Sequence, residues 1–216
     1  MGHAGESIDA LPEWAGLAIA RAGPSLQPAL SALLQFDRQL GRVILGATEP
    51  MLAQIRIAWW REELARSSEQ AGRPRPVDPL LNSLLGTTLG GSAELVTFID
   101  GWETLLEAQP WSLEHRERYA AGHSAVFERC AQIAGSPGCA KEAGTHGEAW
   151  AQAKLARFDR TTPPATPPDL PRLPRDLRAI AMIGGLSRRA LLRGGEELMG
   201  DRMSPFAALR LGIFGT

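Results

Sequence analysis

The chain has 216 residues, 44% of them hydrophobic and 22% charged, and carries a formal net charge of −1 at pH 7. This balance describes one globular domain, 1–216, long enough to bury a good core, and it excludes the basic footprint of a nucleic-acid binder. No run approaches the roughly 18 apolar residues of a transmembrane helix, and the polar, acidic stretch from Met1 to Glu13 is unlike a signal or transit peptide.

Helix is predicted almost throughout, so the expected class is all-α. A short helix is predicted at 11–21. A longer one follows at 25–45, with Pro28 tolerated in its first turn. The next runs over 49–69, and Gly72-Arg73-Pro74-Arg75-Pro76 after it admits no helix. A short helix is read at 79–88. Gly90-Gly91-Ser92 then stops one helix and caps the next, 93–108. Pro110-Trp111-Ser112 repeats that logic for 113–134, which ends at Gly135, and 141–158 follows. Six of the 16 prolines fall within 161–174, where an extended linker is expected. Helix resumes at 175–192, and a last short helix is predicted at 205–213. Few β-branched residues occur and no alternating run reads as a strand.

The most strongly marked element is the helix from Glu49. Thr48 reads as its N-cap and Pro50 suits its first turn. Met51, Leu52, Ile55, Ala58 and Trp59 share one face at helical spacing, and Arg56, Trp60 and Glu63 form a second stripe. Glu62 precedes Arg66 by four residues, the favourable order for a helical ion pair. Two adjacent Trp cannot share a face, so a central helix covered on two sides is expected. Trp59 is expected to be buried against the 25–45 helix.

These residues resemble the squalene/phytoene synthase family. The match rests on Phe36-Asp37-Arg38, on Glu49 and Pro50, and on Ile55-Arg56-Ile57-Ala58-Trp59-Trp60-Arg61-Glu62. Phe98-Ile99-Asp100-Gly101-Trp102-Glu103, Tyr119 to Gly122 and Glu148 to Arg157 continue it more weakly. The resemblance spans about 33–157, and only the Trp-Trp-Arg-Glu block is specific. It implies an isoprenoid-synthase type of helical bundle, here trimmed. In active relatives, two Asp-rich motifs hold Mg²⁺ and two prenyl diphosphates across a cavity.

Those acids are missing. Aligned on Phe36 and Arg38, the first motif's Asp positions fall at Gly41, Arg42 and Leu45. Within 24–45 the only acid is Asp37. The second motif falls on Phe158 to Thr162 and keeps only Asp159. Mg²⁺ demands oxygen ligands in near-octahedral geometry, and one carboxylate beside an arginine cannot gather two or three such ions. No metal or other cofactor is therefore expected. Arg56 and Arg61 stand where relatives carry arginines near the diphosphates. Together with Arg38 and Arg42 they are candidates for holding a diphosphate or lipid headgroup, or else they are surface and ion-pair residues.

Other candidates carry less. His115, His123 and His146 have no metal-ligand spacing. Ser187-Arg188-Arg189 and Arg193 form a basic patch that reads as a solvated helix face. Cys130 and Cys139 read as free thiols of a reducing compartment.

The resemblance therefore implies a non-catalytic member that binds a partner protein or a lipid, in the cytoplasm or at a membrane surface. Mitochondrial complex I assembly factors are among the relatives whose motifs are likewise eroded. The alternative is a Mg²⁺-dependent prenyl transferase with displaced ligands. The expected fate of the ancestral cavity is that bulky side chains fill it, because a shorter chain has fewer helices to wall a void and voids are costly.

Overall fold

The structure, a computed structural model, describes residues 11–69, 78–159, 166–195 and 197–199. The loop at 72–76, residues 161–165 of the linker and the predicted helix 205–213 lie outside the described residues. Eight α-helices and no strand occur among the described residues. They are α1 (Glu13–Arg21), α2 (Gln27–Leu45), α3 (Pro50–Glu69), α4 (Pro79–Leu85), α5 (Ala93–Glu103), α6 (Leu113–Ile133), α7 (Ala140–Phe158) and α8 (Arg178–Leu192).

Local chemistry explains the boundaries. The Asp78 carboxylate accepts from the Leu80 and Leu81 N–H groups, both at 2.9 Å, and starts α4. The Ser92 hydroxyl accepts from the Leu95 N–H at 3.3 Å and starts α5. Ser112 and His115 make a reciprocal capping box at the start of α6. Gly135, at φ +82°, takes the left-handed turn after α6 that a side chain would resist. Residues 166–174 are non-helical, as their prolines require.

Helices α5, α6, α7 and α8 pack in chain order. Helix α1 packs on α8, α2 on α1, and α5 on α2, which closes a ring of contacts around the core. Small residues let three of these helices approach closely. A Cβ on Gly122 of α6 would stand 2.9 Å from the Phe98 Cα of α5, and one on Gly147 of α7 would run into the His123 carbonyl of α6. One apolar cluster runs from Ala15 in α1 to Leu186 in α8.

Helix α3 departs from the expectation of a central helix. It packs on α2, α4 and α5 from outside the ring. Its buried residues are Ala53, Ile57, Trp60 and Leu64. Trp60 is 1% exposed and meets Phe36 of α2 edge to face at 5.4 Å. Trp59, expected in the core, is 39% exposed. The helix is apolar on two sides, and α2 offers an aromatic partner only to the Trp60 side.

Candidate functional site

The space between α2 and α7 is occupied by charge and aromatic rings. Asp37 of α2 is buried, and Lys154 of α7 donates to its Oδ1. The Trp102 indole N–H donates to the same oxygen at 3.2 Å. The Lys154 ammonium also stands over the rings of Trp102 (4.3 Å), Trp150 (4.7 Å) and Tyr119 (5.8 Å). His123 of α6 completes the group, its Nε2 3.6 Å from Asp37 Oδ1, beyond hydrogen-bond reach. Its Nδ1–H donates to the Tyr119 carbonyl at 2.9 Å.

Burial raises the Asp37 carboxyl, but the Lys154 ammonium against it leaves the group ionising below its ordinary range. Burial lowers the Lys154 ammonium more than Asp37 restores it. Burial also lowers His123, against the pull of Asp37, so its ring is held neutral. Burial pushes the Tyr119 hydroxyl well up. The arrangement is an internally compensated ion pair under an aromatic lid.

The eroded motif positions do not share one cavity. A Cβ on Gly41 would stand 3.1 Å from Trp102 Cη2, tighter than ordinary contact, so a side chain there would press on the indole. Arg42 is exposed, and Leu45 is 41% exposed at the end of α2. Asp159 is buried at the end of α7, where Arg116 donates to its Oδ2 at 2.6 Å. Arg38 is half-buried on α2. Arg61 bridges Asp100 and Glu103 of α5, each at 2.5 Å, the Ile-Asp-Gly motif's own acids. Among the described residues, no three His, Cys, Asp or Glu side chains gather into a metal-holding group. Asp37, Asp159, Asp100 and Glu103 are each bound to a protein cation.

Of the four candidate arginines, the structure brings two together. Arg42 and Arg56 line an open groove of 380 Å³ at the α2–α3 turn, with Gln39, Thr48, Glu49 and Leu52. The Arg56 guanidinium also lies 5.5 Å from the Trp60 ring. Beside the groove, Met51, Leu52, Ile55 and Trp59 are 71%, 61%, 60% and 39% exposed. They lie about 150° around the helix from the buried stripe of Ala53, Ile57, Trp60 and Leu64. The face expected to be core is therefore an exposed apolar stripe.

The remaining candidates have structural places. His115 belongs to the capping box and pairs with Glu107 at 3.3 Å. His146 Nε2–H donates to the Pro171 carbonyl at 2.9 Å and pins the proline-rich segment to α7. In the C-terminal basic patch, Arg188 lies 3.9 Å from Asp169, Arg193 donates to the Glu197 carbonyl, and Ser187 is buried against the Ile183 carbonyl. Cys130 and Cys139 are free thiols, and burial pushes Cys130 up to about 12.

Sequence reasoning missed Lys154. One signal was present: 141 and 154 are the only lysines in a chain with 23 Lys and Arg. A lysine kept where arginine is otherwise used suits a compact, desolvated point charge. Compared with family models, curated proteins and solved structures, the chain matches none.

Proposed function

We propose that this chain is a non-catalytic protein of the squalene/phytoene synthase type, a trimmed isoprenoid-synthase bundle that acts by binding a partner protein or a lipid at its α2–α3 face. The observation that carries the reading is Trp102. Its indole occupies the ground that the first metal-binding motif would need at Gly41 and binds the one carboxylate of α2, which Lys154 already neutralises. Between α2 and α7 the chain has an ion pair and three aromatic rings where an active relative has a tunnel mouth. This supports the filled version of the cavity.

Binding follows from what is left outward. The surface next to the eroded motif keeps two arginines at a groove and an apolar stripe along α3. Contiguous exposed apolar residues of this kind mark interaction sites. Among the described residues no helix is long and apolar enough to cross a membrane, so a membrane contact through this face is peripheral. A cytoplasmic location, or one at a membrane surface, suits the reading.

Incubation with farnesyl diphosphate and Mg²⁺ tests it, read by product analysis and thermal midpoint together. The expected result is no condensation product and an unchanged midpoint. A ligand at 100 times its dissociation constant would add ~2.7 kcal/mol, a readily seen shift. A Mg²⁺-dependent product would replace this reading with that of a prenyl transferase.

A further inference from the structure

We infer that the proline-rich segment 166–175 is a preformed polyproline II ligand for a partner protein, whose groove offers aromatic rings to Pro168, Pro171 and Pro174 and carboxylates to Arg172 and Arg175. The inference concerns a different surface from the α2–α3 face and does not depend on that reading. Three observations carry it.

The first is pitch. Thr166, Asp169, Arg172 and Arg175 are exposed, whereas residues 167, 168, 170, 171 and 173 are half-buried. Exposure that returns every third residue marks a helix of three residues per turn, and residues 166–174 belong to no α-helix. Pro174 stands at φ −64° and ψ 168°, in the polyproline region. The three rows of such a helix meet different surroundings. In the row of Pro167, Leu170 and Leu173 all are half-buried, and Leu173 packs against the core. The row of Asp169, Arg172 and Arg175 is exposed throughout. In the third row Pro168 and Pro171 are half-buried and Pro174 is exposed, so the prolines lie along an edge. A groove that grips two rows of this helix meets prolines and arginines.

The second is fixity. His146 of α7 donates to the Pro171 carbonyl at 2.9 Å, and Leu177, just past the segment, is wholly buried. The backbone is held in the conformation that proline-recognition grooves accept, which lowers the ordering cost of docking. The third is charge. Arg172 and Arg175 make no hydrogen bond or ion pair among the described residues. Their Cα atoms lie roughly 9 Å apart along a polyproline axis. Asp169 and Asp176, both exposed, flank them. Charges of both signs at set places suit a protein surface with its own charge pattern, and they oppose a uniformly anionic polymer or bilayer.

Calorimetric titration of the full chain with a panel of SH3 and WW domains, chosen for acidic residues at the groove rim, tests the inference. Saturable binding by at least one domain is expected, weaker at high salt. The double variant Arg172→Glu with Arg175→Glu should lower that affinity at least about tenfold. The double variant Pro168→Ala with Pro174→Ala should lower it by about as much, through lost ring contacts and a looser backbone. Thermal midpoints near that of the parent would confirm that both variants fold.

Absence of binding across the panel overturns the inference, as does either variant binding like the parent. Binding of heparin that the arginine variant abolishes, with no domain bound, gives the row to a polyanion and overturns it too.

Discussion

Asp37 and Lys154 stand 117 positions apart in the chain and form a buried ion pair that ties α2 to α7. The pair is worth most as a constraint. Its desolvation is expensive, and its Coulomb gain roughly offsets that, so removing one partner is far worse than removing both. Lys154→Met should destabilise the chain by about 3–5 kcal/mol, because it strands a buried carboxylate between Trp102 and His123. Asp37→Leu combined with Lys154→Met should recover most of that loss. Denaturant midpoints of the three proteins at neutral pH check it. A single variant as stable as the parent would show that Asp37 is not held charged in the core.

The two adjacent tryptophans of α3 should behave oppositely. Trp60→Ala removes a fully buried ring that packs on Phe36, and should cost about 3–5 kcal/mol. Trp59→Ala removes an exposed ring and should stay within about 0.5 kcal/mol. Chemical denaturation of both variants measures the difference. Equal losses would mean that α3 is covered on both sides.

That contrast shows what was legible in the sequence. The helices were, because their signals are local: Ser92 and Ser112 cap α5 and α6 as read, and α2 ends at Leu45 as read. The face of α3 was not. Periodicity finds an apolar stripe but cannot say which of two stripes meets a partner. The buried stripe continues to Leu64, whereas the exposed one stops at Trp59, and that continuity was the better guide. The erosion of the first motif was readable at Gly41, Arg42 and Leu45, but Trp102 as the group standing against Gly41 was not. Lys154 escaped because an ion pair across 117 residues leaves no local pattern.

Acid should weaken the fold through two histidines. His123 and His146 both titrate below the ordinary imidazole value of 6.5 because burial disfavours their charged form. The unfolded chain therefore binds protons first as pH falls through 6.5. Their contribution is complete above that value and is lost as pH drops from there toward the lower folded values. Each can cost at most about 1.36 kcal/mol per pH unit in that window. Asp37, held below its ordinary value, adds a second loss only when pH falls below 3.8. Denaturant midpoints measured between about pH 7 and pH 5 should fall, and His146→Gln should flatten part of the fall. A flat profile would mean that both rings accept protons in the folded chain.

The close approach of the central helices makes the last prediction. Gly122 and Gly147 sit where α5, α6 and α7 pass with backbone nearly touching backbone. An added methyl at Gly122 meets Phe98 Cα and the Thr97 carbonyl, both at 2.9 Å, and neither can rotate away as a side-chain end could. Gly122→Ala and Gly147→Ala should each cost about 1–3 kcal/mol by forcing helices apart, although alanine is the better helix former by about 1 kcal/mol. Gly16, in α1, has open space around its Cβ position. There the propensity gain acts alone, and Gly16→Ala should stabilise by up to about 1 kcal/mol. Thermal and chemical midpoints of the three variants give the comparison. The prediction is one of opposite signs, so three stabilised variants would show that the α5–α6–α7 packing is looser than these contacts require.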